Sequence, residues 1–61
     1  MIRLTEFRNP QETFYLNVSS IVEFRKDGKY TLVYTQTNDL PFWVKESPEE
    51  IEAKIRISRQ G

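Results

Sequence analysis

Carboxylates, hydroxyls and amines are the only side chains in this sequence equipped for chemistry. There is no His and no Cys, so an imidazole base, a thiolate nucleophile and the usual ligands of zinc and copper are missing. Glu46, Glu49, Glu50 and Glu52 form the densest acidic group and resemble the paired acids of a glycosidase only out of context. Their setting gives them another task. Ser47-Pro48-Glu49-Glu50 reads as a helix entrance. Ser47 accepts from first-turn N–H groups, Glu50 reaches back to the Ser47 N–H, and Pro48 sits at the first helical position, where no donor is lost. Negative charge at that end offsets the helix dipole. Ser19 and Ser20 have no His to activate them, and no acidic cluster is interleaved with turn-forming Gly as a calcium loop requires. The residue set predicts a protein that is not an enzyme and binds no metal or cofactor.

The elements that position these residues belong to one small domain, 1–61. A chain of 61 residues buries only about 60% of the surface its unfolded form exposes, so its core is marginal and self-association would suit it. Nine acidic residues balance nine basic ones, which leaves no long-range field to recruit nucleic acid or anionic lipid. Met1-Ile2-Arg3-Leu4-Thr5-Glu6 carries charge where a signal peptide needs an apolar run, and no window approaches the roughly 20 apolar residues of a membrane span. A cytoplasmic location is the expectation.

Four segments alternate apolar and polar residues: about 2–8, 13–18, 21–36 with a turn inside it, and 41–45. They are rich in Ile, Val, Thr and aromatics, which favours strands. Asn9-Pro10-Gln11, Asp27-Gly28 and Thr37-Asn38-Asp39 carry turn chemistry, and Asn17 is placed to cap one helical turn over Val18-Ser19-Ser20. The fold expected is mainly β with one C-terminal helix (α+β): a five-stranded antiparallel meander, strongly curled or barrel-like, followed by a helix over about 47–57. Ile51 and Ile55 give that helix a narrow apolar stripe, with Glu50–Lys54 and Glu52–Arg56 spaced as exposed pairs and a fraying tail from Ile57 to Gly61.

A single buried face fixes the expected register. A two-residue turn at Asp27-Gly28 would split the apolar residues between both faces. A three-residue loop, Lys26-Asp27-Gly28, sets Phe24 opposite Tyr30 and Val22 opposite Leu32. Similar loops elsewhere set Leu32 opposite Val44, Tyr34 opposite Phe42 and Leu4 opposite Leu16. The core expected on that face is Ile2, Leu4, Phe14, Leu16, Val22, Phe24, Leu32, Tyr34, Phe42 and Val44.

The opposite face then holds Phe7, Tyr15, Val33 and Trp43 among Arg3, Thr5, Glu23, Arg25, Lys29, Thr31 and Lys45. One reading is structural: Val33 opposite Trp43 as a cross-strand packing pair, with charged stems half covering the other aromatics. A second is a protein-contact face, since aromatics and Arg anchor interfaces. Its partner-binding residues would be Tyr15, Val33, Trp43, Phe7, Arg3, Arg25 and Lys45. A third is single-stranded nucleic acid, with bases stacked on Tyr15, Phe7 and Trp43 and phosphates on Arg3, Arg25, Lys29 and Lys45; the zero net charge weighs against it. The free edges of a small sheet could also accept another chain, charge and Pro41 acting as their protection.

Met1-Ile2-x-Leu4-Thr5, then Phe14-x-Leu16-Asn17, Ile21, and finally Val44-Lys45-Glu46-Ser47-x-Glu49-Glu50-Ile51 running into Lys54-Ile55, form an ordered signature across nearly all of the chain. It resembles the FlbD family of small bacterial flagellar and swarming-motility proteins. The chain differs from that family at Thr37-Asn38-Asp39-Leu40-Pro41, where an Asn-Gly turn followed by basic residues is usual, at the insertion Asn9-Pro10-Gln11-Glu12, and at Phe42-Trp43. The resemblance implies a cytoplasmic accessory protein that supports flagellar function through protein contacts, with no catalytic residue or cofactor. The expectation is therefore a protein-binding module with an unidentified protein partner. A small nucleic-acid-binding regulator, phage- or mobile-element-encoded, and a self-associating structural subunit are the alternatives.

Overall fold

The alternating segments become five strands in a computed structural model that describes residues 1–60. They are β1 (Ile2–Thr5), β2 (Thr13–Leu16), β3 (Ile21–Asp27), β4 (Tyr30–Thr35) and β5 (Phe42–Val44), followed by helix α1 (Pro48–Gln60). The fold is mainly β with one C-terminal helix, and all strand pairing is antiparallel. A continuous five-stranded meander does not form: β1 pairs with β2 in one sheet, and β3, β4 and β5 make a second. A 3-10 turn over Val18–Ser20 separates the two. Asn17 caps it as its sequence predicts, its Oδ1 accepting from the Ser19 N–H at 3.1 Å.

The sheets meet along a short seam instead. Glu6 bridges Val44, the Phe7 N–H donates to the Trp43 carbonyl at 2.9 Å, and the Lys45 N–H donates to the Thr5 carbonyl at 3.0 Å. So few bonds join the two sheets without rolling them up. Among the described residues there is no closed barrel and no strong curl, in contrast to the curled sheet expected from the sequence, and the larger sheet has three strands.

The β3–β4 hairpin overturns the expected register. Its turn is Gly28-Lys29, closed by the pair Asp27–Tyr30, and Gly28 takes φ +67°. A left-handed residue at the first central position is what a type II′ turn needs, and only Gly adopts it freely. Phe24 therefore faces Val33, and Arg25 faces Leu32. Across β5, Val33 faces Phe42, Leu32 faces Trp43 and Thr31 faces Val44. The inner face of β4 is thus Thr31, Val33 and Thr35, not Leu32 and Tyr34. Val22 leaves the core as well: an irregularity between Ile21 and Glu23 leaves it 63% exposed. In the other hairpin Ile2 faces Leu16 and Leu4 faces Phe14, a slip of two residues from expectation that leaves every side chain on its expected face.

The reason lies in β4. Thr31, Leu32 and Val33 are buried in succession, as in a strand covered on both sides. The premise of one buried face fails there, and hydrophobicity alone stops specifying register. Ile2, Leu4, Leu16, Val33, Val44 and Ile51 form the core, with Phe14, Val18, Ile21, Phe24, Phe42 and Ile55 packed around it. Phe14 and Phe42 join the two sheets through ring centroids 5.1 Å apart. The helix contributes Ile51, fully buried, and Ile55 at the margin, the stripe its sequence predicts. It runs on to Gln60 instead of fraying after Ile57. No helix breaker intervenes, and Arg59 lies in the last turn, where a cation complements the dipole. The expected fraying of Gly61 lies outside the described residues.

Candidate functional site

The outer face is organised by Trp43. Strand alternation puts Trp43 opposite Leu32, with Tyr30 two residues back on the same side of β4. Tyr30 stacks on the indole, centroids 5.1 Å apart and planes 20° off parallel. Phe7, brought alongside by the seam, packs against Tyr30 at 4.9 Å. The Arg8 guanidinium lies 3.9 Å from the indole centroid, a cation–π contact. Leu32 beneath this layer is only 9% exposed. The cluster is a second, smaller apolar assembly on the side of the sheet away from the helix.

Beside the indole runs an open groove of about 370 Å³, lined by Glu6, Arg8, Leu40, Pro41, Phe42 and Trp43. The loop between β4 and β5 delivers Leu40, which is 78% exposed. Pro41 is half-buried and fixes the chain as it enters β5. Glu6 braces the other wall: its N–H donates to the Glu12 carbonyl at 3.0 Å and its Oε1 accepts from the Arg8 N–H at 3.3 Å. The groove thus combines an aromatic wall, an exposed aliphatic side chain and one residue of each charge.

The residues expected to form one face are divided by the structure. Phe7 and Trp43 come together in the cluster, both half-buried. Arg3 and Tyr15 are a cross-strand pair of the smaller sheet, with Tyr15 65% exposed. Arg25 lies on β3, two strands away from Trp43, where its Nη2 donates to the Tyr34 hydroxyl at 3.1 Å and its guanidinium sits 5.4 Å from the Tyr34 ring. That hydrogen bond, with the neighbouring charges of Glu23 and Asp27, raises the Arg25 pKa. Lys45 is exposed at the end of β5, beside a polar recess shared with Thr5, Glu46 and Glu50. Val33 does not belong to any surface. It is fully buried, because the Gly28-Lys29 turn shifts the β3–β4 pairing by three residues from the expected one, an odd number that turns β4 over.

Arg8, Tyr30 and Leu40 are the members that sequence reasoning missed. Tyr30 was within reach, since a type II′ turn starting at Gly28 places it on the outer face. Arg8 and Leu40 lie in loops, where period-two patterns carry no information.

Two of the four clustered acids, Glu46 and Glu50, make structural contacts. Both oxygens of Glu46 hold Thr5: the Thr5 N–H donates to Oε1 at 2.9 Å and the Thr5 hydroxyl to Oε2 at 2.8 Å. Glu50 and Ser47 form the reciprocal cap, the Glu50 N–H donating to Ser47 Oγ at 3.1 Å and the Ser47 N–H to Glu50 Oε1 at 3.4 Å. No helix among the described residues is long and apolar enough to cross a membrane.

These features define a small antiparallel β domain with one covering helix and an aromatic cluster on its outer sheet face. Comparison with protein-family models, curated proteins and solved structures finds no match.

Proposed function

We propose that this protein is a non-enzymatic, cytoplasmic protein-binding module that takes up an apolar segment of a partner protein in the groove beside Trp43. The observation that carries this reading is the juxtaposition of exposed Leu40 with an indole already oriented by Tyr30 and Arg8. Aromatic and Arg side chains in fixed orientations are the usual anchors of protein interfaces, because little conformational entropy remains to be lost on binding. Glu6 and Arg8 at the groove margin supply polar rim contacts. The resemblance to the FlbD family adds an accessory role in flagellar motility, exerted through such contacts. A base stacking on Trp43 would compete with Tyr30 and Arg8 for the indole, and this favours a protein ligand over single-stranded nucleic acid.

Selection from a displayed peptide library, followed by fluorescence titration of the selected peptide, tests the proposal. Trp43 is the sole tryptophan, so its emission reports on the groove directly. Peptides that perturb Trp43 and lose affinity at least tenfold to Leu40→Asp, a change at an exposed position, support it. Selected peptides that leave Trp43 emission unchanged, or single-stranded oligonucleotides that bind at low salt where peptides do not, overturn it.

A further inference from the structure

β3 is an outer strand of the larger sheet, and its far edge carries a charge pattern that complements itself. The pair Asp27–Tyr30 closes a two-residue turn, so it is a hydrogen-bonded pair, and Arg25 and Glu23 follow in the same phase. The N–H and C=O groups of Phe24 and Lys26, in the opposite phase, point away from β4 along the free edge. An antiparallel neighbour must pair with those groups, which restricts the registers in which a second β3 can add. If Arg25 lies opposite Arg25 of the second copy, Glu23 meets Asp27 and like charges oppose throughout. If Glu23 lies opposite Glu23, the two carboxylates oppose each other and each Arg25 meets Ile21. If Lys26 lies opposite Lys26, Arg25 meets Asp27 and Glu23 meets Lys29, but the two Lys26 ammonium groups oppose each other at the centre. Only with Phe24 opposite Phe24 does each Glu23 meet an Arg25 with no like charges opposed.

We infer that β3 pairs antiparallel with β3 of a second copy of this chain, centred on Phe24, with Glu23 and Arg25 forming two symmetry-related cross-strand ion pairs. The contact is isologous and closes after two copies, as a two-fold interface must. Glu23, Arg25 and Lys26 are exposed, so the edge is accessible. Arg25 is already ordered against Tyr34, with one N–H group engaged there and its remaining donors free for the second copy's carboxylate. On the inner face the two half-buried Phe24 rings meet and extend a core that is small for a chain of this length. The same charges that repel unrelated edges therefore select this partner in one register. The inference does not depend on the Trp43 groove, which lies at the other side of the sheet on β5.

Charge exchange across the pair tests it. The native chain should double its mass in sedimentation equilibrium as concentration rises toward the millimolar range. Glu23→Arg gives an edge with two cations and Arg25→Glu one with two anions, so each variant alone should remain monomeric at concentrations where the native chain is paired. An equimolar mixture of the two should recover the dimer, because every cross-strand pair is then of opposite charge. Recovery on mixing also shows that both variants are folded. A native chain that stays monomeric at the highest concentration, single variants that pair as well as the native chain, or a mixture that fails to recover dimer, each overturns the inference.

Discussion

Thr5 and Glu46, 41 residues apart in sequence, are joined by two hydrogen bonds to one carboxylate, 2.9 Å from the Thr5 N–H and 2.8 Å from its hydroxyl. This clamp fastens the end of β1 to the junction between β5 and α1, directly beside the seam that joins the two sheets. Hydrogen bonds to a charged acceptor in a partly buried site are worth more than neutral ones, about 1.5–3 kcal/mol each by deletion. Glu46→Ala should therefore destabilise the protein by about 2–3 kcal/mol in urea denaturation. Glu46→Gln, which keeps one acceptor, should cost about 1 kcal/mol. Exposed Glu52 is the control, and its replacement by Ala should stay within about 0.5 kcal/mol. Equal effects at the two positions would show that the clamp contributes nothing to folding.

The register of β4 is open to an equally direct test. Val33 is fully buried and Val22 is 63% exposed, the reverse of what the alternation in their segment suggests. Val33→Ala removes two buried carbons and leaves a cavity among Val44, Phe24 and Phe42, for a cost of about 2–3 kcal/mol. Val22→Ala should change stability by less than about 0.5 kcal/mol. A larger loss at Val22 than at Val33 would reinstate the three-residue loop.

What the sequence made legible follows from the range over which each cause acts. Ser47, Pro48 and Glu50 specify a helix start through contacts within four residues, and Asn17 does the same for its turn; the structure shows both. Ile2 and Leu4 alternate with Arg3 and Thr5 in a strand with one buried side, and they face the core as expected. Thr31-Leu32-Val33-Tyr34 could not be read that way. Its two faces are both covered, one by the helix-side core and one by Trp43 and Tyr30, so apolar residues follow one another without a period. The candidate surface inherited this error at Val33 and escaped it at Trp43 and Phe7. The Thr5–Glu46 clamp and the seam depend on distant segments meeting, and no local pattern announces them.

Gly28 decides the hairpin, and its contribution can be isolated. A Cβ added there meets no heavy atom within 4 Å, so any cost of substitution comes from the backbone at φ +67°. Gly28→Ala should destabilise by about 1–2 kcal/mol, the penalty for a left-handed alanine. Gly28→Asn should cost less, since Asn tolerates that region. Both are read as shifts in the urea midpoint at constant m-value. An alanine variant as stable as the native chain would mean that the turn does not require a left-handed residue.

Trp43 and Arg8 offer the last test, because the indole reports on its own cover. The guanidinium at 3.9 Å from the ring centroid excludes water from part of the indole and contributes about 0.5–1 kcal/mol at such a partly exposed site. Arg8→Ala should lower stability by that amount and move the emission of the single tryptophan to longer wavelength as water reaches the ring. Arg8→Lys restores the charge but lacks the planar group that stacks on an aromatic face, so it should recover only part of the shift. Tyr30→Ala should act more strongly than either, since it removes the stacked ring and uncovers Leu32 together. If Arg8→Ala changes neither emission nor stability, the guanidinium is not seated on the indole, and the groove loses the wall that orients its central side chain.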